Sequence, residues 1–130
     1  MSQSLSAMER MEQIIDYAYL LFCNQVAGGL IKIQNEASMQ LHLSNVLLQL
    51  GRLNVFSPEE YFNIVLERKI MLSNETSKSK KRNARVDIWL ELIRNGMICS
   101  EAAIELKYLK NHVTRPLLTI VIMCTRIWKI

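Results

Sequence analysis

Four residues have the types and the spacing to do chemistry together: Glu36, Asp87, Glu105 and Lys107. Asp87 stands in Arg-Val-Asp-Ile-Trp-Leu, which begins at Arg85. Glu105 and Lys107 stand in Ala-Ile-Glu-Leu-Lys, which begins at Ala103. Carboxylates are hard oxygen donors of the kind that hold Mg2+. A lysine fixed beside such an ion stabilises charge developing on a phosphate. An acid on one strand, facing a Glu and a Lys two positions apart on its neighbour, is therefore suited to phosphodiester hydrolysis.

The elements that must position these residues are legible as periodicities. Val86, Ile88, Leu90 and Leu92 alternate with polar positions and put Asp87 on the opposite face of a strand. Ile104 and Leu106 share one face of a second strand, and Glu105 and Lys107 share the other. Asn95-Gly96 between them is a hairpin signal. Upstream, Phe62, Ile64 and Leu66 predict a first strand over residues 62–72, preceded by a turn at Ser57-Pro58. Residues 5–26 predict a helix that Gly28-Gly29 ends. A second helix is predicted over residues 30–50, with Gly51 as its stop. Glu36, Gln40 and Leu43 share one face of that helix. Its apolar surroundings predict burial on more than one side, which would make Glu36 a buried acid, paired or functional. Helices followed by strands indicate an α+β domain, its N-terminal helices packed on a small mixed or antiparallel sheet.

Composition narrows the classes. The chain has 130 residues, half of them apolar, and a net charge of +4. It reads as one domain over 1–130: an N-terminal helix at 1–26, a motif-bearing core at 30–110 and a tail at 111–130. Three cysteines without CxxC spacing suggest neither a disulfide framework nor a zinc site. Glu9, Glu12 and Asp16 interrupt any secretory signal, and the apolar run at 117–124 is too short to span a bilayer. A cytoplasmic protein with no membrane partner is the expectation. Neither a Ser-His-Asp nor a Cys-His arrangement, nor a phosphate-cradling glycine loop, can be argued.

Glu-x-Lys alone says little: at average charged content, roughly one chain in two of this length carries it by chance. The chain holds a second copy, Glu67-Arg68-Lys69, which lacks a companion aspartate and reads as charges at a strand edge. The order is more specific. Glu36 on a helix, Asp87 on the second strand and Glu105-Leu106-Lys107 on the third resemble the PD-(D/E)xK nuclease superfamily, in an uncharacterised bacterial branch. The resemblance spans residues 30–110, and Val86 stands where the motif proline would be. It implies a restriction-endonuclease-like core and a Mg2+-dependent endonuclease acting on DNA, with Mn2+ as a substitute ion. Asp87, Glu105 and the Leu106 carbonyl would be metal ligands. Glu36, with Gln34 in support, would hold a second metal or a metal-bound water, and Lys107 would orient the attacking water.

Lys78, Lys80, Lys81, Arg82 and Arg85 form a basic cluster that suits either a solvated loop or a DNA backbone contact. The tail departs from the family, which continues with a helix after the Glu-x-Lys strand. Residues 119–130 can be back-translated so that a shifted frame encodes an amphipathic helix. A β-branched core strand and a frameshifted, truncated end both remain open. The alternative to an active enzyme is an inert remnant that binds protein or DNA. An oligomer is compatible with either.

Overall fold

The computed structural model describes residues 5–71 and 83–107. Lys78, Lys80, Lys81, Arg82, Leu109 and the tail at 111–130 lie outside the described residues. Two helices, α1 (Ala7–Ala27) and α2 (Glu36–Leu53), precede three strands, β1 (Glu60–Met71), β2 (Asn83–Arg94) and β3 (Met97–Ile104). The strands form an antiparallel sheet in the order β1-β2-β3. The class is α+β, as the order of periodicities predicts.

Each helix begins where a side chain can take over an orphan N–H. The Ser6 hydroxyl accepts the Glu9 N–H at 3.1 Å. Asn35 accepts the Ser38 N–H at 2.8 Å, and the Ser38 hydroxyl accepts the Asn35 N–H at 3.0 Å. This reciprocal cap sets the start of α2 at Glu36, six residues later than the apolar pattern suggests. Residues 31–34 lie outside the helix. Gly51 is also not its stop. It sits inside α2, where a β-carbon would overlap three carbons of the Phe62 ring. A glycine here allows close approach of helix and strand. Gly51→Ala adds about 1 kcal/mol of helix propensity, yet it should destabilise the protein by about 2 kcal/mol through overpacking. Urea denaturation reads this as a lower midpoint; an unchanged midpoint would mean the ring moves aside.

The core lies between the helices and one face of the sheet. Ile14, Ala18 and Phe22 of α1 meet Met39, Leu43 and Leu47 of α2, all fully buried. Ile88, Leu90 and Leu92 supply the floor, with Ala102 and Ile104 of β3 beside them. The other face is buried at Trp89, Ile93 and Ala103, so neither face of β2 is a wet surface. Arg10 ties α1 to the start of β1 through two bonds to the Glu60 carboxylate, at 3.1 and 2.9 Å, and a third to the Asn54 carbonyl.

Two irregularities set the register. Between β2 and β3, Leu92 pairs with Ser100 but Ile93 pairs with Ile98, so Cys99 is an extra residue on β3. In β1, Glu67 has φ 55, a left-handed conformation uncommon for a glutamate. The alternation of β1 reverses there. Phe62 and Ile64 pack with the helix-side core, whereas Arg68 lies over the Trp89 ring on the far face, 4.4 Å from its centroid. Arg68 also pairs with buried Glu91 at 3.4 Å.

Candidate functional site

The reversal in β1 opens a cleft at the end of the sheet. It has a volume of about 260 Å3 and is lined by Glu36, Ala37, Gln40, Glu67, Asp87 and Leu106. Register explains its composition. Leu66 pairs with Ile88 and Arg68 with Val86, so Glu67 stands level with Asp87. Ile88 pairs with Ile104, so the next position sets Asp87 level with Glu105. Three acids thus form a row, Glu67 on β1, Asp87 on β2 and Glu105 just past the end of β3, and α2 begins over them with Glu36. Glu105 and Lys107 are not strand residues as the alternation predicts, because the ladder ends at Ile104.

Asp87 is the fixed member. Past Ile104 its carboxylate replaces the strand ladder: the Leu106 N–H donates to Asp87 Oδ2 at 2.7 Å. Gln40 holds the site from the helix side. Its amide donates to the Asp87 carbonyl at 2.7 Å and to Glu67 Oε1 at 3.1 Å. Burial raises the Asp87 pKa above the usual aspartate range, and the charges of Glu67, Glu36 and Glu105 raise it further. The bond from Leu106 acts in the opposite direction. A half-buried carboxylate crowded by three others at neutral pH is destabilised unless a proton or a cation joins it.

The sequence-derived residues are therefore only partly assembled. Glu36, Asp87 and Leu106 line one cleft, and Glu105 lies beside it, exposed to solvent. Glu36 is exposed in the first turn of α2, not buried as its neighbours suggested; a carboxylate there also favours the helix dipole. Lys107 is exposed, and among the described residues no ion pair joins it to an acid. Gln34 is exposed ahead of the helix and does not line the cleft. Arg85 flanks the cleft, 3.9 Å from Glu67. Among the described residues no three His, Cys, Asp or Glu side chains are placed to hold a metal ion. Mg2+ commonly takes only one or two carboxylates and completes its shell with water and phosphate oxygens.

Comparison with protein-family models, curated proteins and solved structures finds no match. The chemistry must be read from the cleft itself. No helix among the described residues is long and apolar enough to cross a membrane.

Sequence reasoning missed Glu67. It was expected to be a strand-edge charge without an aspartate, but it faces Asp87 directly. Its place depends on the β1–β2 register, which cannot be counted through the polar stretch that joins them. Gln40 was legible, because its spacing from Glu36 puts both on one helix face.

Proposed function

We propose that this chain is a PD-(D/E)xK-type endonuclease, with a restriction-endonuclease-like core, that hydrolyses DNA phosphodiesters with Mg2+. The observation that carries the reading is the anchored Asp87 carboxylate, bonded to the backbone of Glu105-Leu106-Lys107 and surrounded by Glu36, Glu67 and Glu105. Hard carboxylate oxygens suit Mg2+, and a half-buried carboxylate with three exposed acids around it gains from a divalent cation. Asp87 and Glu67 are the acids best placed to hold it, with Glu105 and the Leu106 carbonyl on the adjoining strand end. When bound, Mg2+ supplies a lowered pKa for water and charge stabilisation on the phosphate.

The chain's own residues would do the rest. Gln40 fixes Glu67 and the Asp87 backbone, so the two acids keep their separation. Arg85 at the rim, together with the basic cluster at Lys78, Lys80, Lys81 and Arg82, would neutralise DNA phosphates without reading sequence. Lys107 would swing toward the scissile phosphate once substrate is present.

Titration calorimetry with Mg2+ and Mn2+, followed by plasmid nicking, tests the proposal. Binding in the micromolar to millimolar range and metal-dependent nicking are expected. A folded protein that shows neither would favour the inert, nuclease-like binding module.

A further inference from the structure

The reversal in β1 is held from the face opposite the helices. Phe62 and Ile64 pack on the helix-side core, and Leu66 lines the same side, between α2 and β1. Regular alternation would carry Arg68 to that side as well and turn Glu67 away from α2. The strand does the opposite: Glu67 accepts the Gln40 amide, and Arg68 lies over the Trp89 ring. Leu66 and Arg68 keep their partners Ile88 and Val86, so the register is unbroken and the exchange is centred on Glu67, at φ 55. Such a conformation is sparsely populated for a residue with a side chain and persists only where its surroundings hold it.

The stronger hold is on Arg68. Glu67 is exposed, and its bond to Gln40 competes with water. Arg68 instead joins groups withdrawn from solvent. Trp89 and Glu91 are buried, the guanidinium carbon is 4.4 Å from the ring centroid, and the pair with Glu91 spans 3.4 Å. Glu91 also stands directly opposite Glu101, another buried acid, so a cation on this face offsets like charges. A regular β1 would take that cation away and place it on the side of α2. We propose that Arg68 is a positioning residue for the cleft: its stack on Trp89 and its pair with Glu91 hold the left-handed turn that brings the Glu67 carboxylate level with Asp87. Its effect on metal binding rests on the reading of the cleft as a Mg2+ site; its placement of Glu67 does not.

The test replaces Arg68 and Glu91 together, Arg68→Met with Glu91→Gln, so that no buried charge is stranded between them. Two quantities are read on the full chain. The side-chain amide NMR signals of Gln40 report its bonds without any metal, and calorimetry gives the Mn2+ dissociation constant. The Gln40 proton bonded to Glu67 should move to the position it takes in Glu67→Ala, while its twin on the Asp87 carbonyl stays. The dissociation constant should rise roughly tenfold, the scale of losing a group that orients a ligand. Arg68→Lys keeps the charge but not the flat stack, so it should lie between wild type and double variant. It carries the test if the double variant fails to fold. A purely structural Arg68 would lower the melting temperature and leave both readings unchanged, and that result would overturn the proposal. A Gln40 signal that moves in a protein binding no Mn2+ in any form would uphold the positioning of Glu67 and remove the metal reading of the cleft.

Discussion

Asp87→Asn should remove metal binding and, in metal-free solution, leave the protein more stable than the wild type. The two effects share a cause. The carboxylate is half-buried beside three other acids, and its raised pKa means the native state holds the proton more tightly than the unfolded chain does. Stability from this group is therefore fully present below the unfolded aspartate value and is lost as pH rises through the folded one. Asparagine avoids that loss, and its amide oxygen can still accept the Leu106 N–H. A gain of order 1 kcal/mol is expected at neutral pH, shrinking toward pH 4. Nicking activity should fall at least about a hundredfold, the scale of losing a group that organises transition-state charge. Thermal melts in chelator at both pH values, with calorimetry on the same samples, give the answer. An Asn variant less stable at neutral pH would mean that the carboxylate is there to hold the fold.

The largest loss of stability should come from Glu60→Gln. Glu60 is one end of the bidentate pair with Arg10, and Arg94 approaches it at 3.9 Å. The guanidinium of Arg10 holds its carboxyl below the usual glutamate range, against the opposing effect of burial. This contribution is present above the unfolded glutamate value and disappears as pH falls through the lower, folded one. Removing one partner leaves the other inadequately paired, at a cost of about 3 kcal/mol. For a domain of this size that is roughly a 10 °C drop in Tm. The double replacement Arg10→Met with Glu60→Leu should recover much of it, because an apolar pair carries no stranded charge. Equal losses in the single and double variants would show that the pair contributes through packing alone.

These two sites show what the sequence could and could not reveal. The β2–β3 hairpin was legible, because strict alternation at Ile88, Leu90 and Leu92 and the Asn95-Gly96 turn are local signals. They place Asp87 and the Glu105 segment at one end of a hairpin, but a regular count from the turn sets Asp87 opposite Ile104. The bulge at Cys99, which no local signal marks, brings Asp87 level with Glu105. The link between Arg10 and Glu60 joins elements far apart in sequence, and no local period encodes it. The start of α2 was hidden because Ile31 and Ile33 extend the apolar pattern beyond the cap. Glu36 consequently looked buried when it stands in an exposed first turn. Gly51 looked like a stop, since the usual reason for a glycine near a helix end is a turn; here the reason is an aromatic ring. Glu67 was invisible as a site residue because its left-handed backbone reverses the alternation from which its direction would be inferred.

The extra residue at Cys99 has a consequence for how this hairpin can change in length. In an unbulged ladder continuing from Ile93 opposite Ile98, Asp87 would face Ile104, and Glu105 would move to the other side of the sheet. The bulge is therefore a slack position that puts the acids in step. Losing Cys99 closes the bulge and leaves Asp87 level with Glu105. Losing a residue from the regular part of β2, such as Leu90, has no such reserve and separates them. Single-residue insertions and deletions in this region are thus unequal: the tolerant point is at the bulge, near the turn, and everything between it and the cleft is fixed in count.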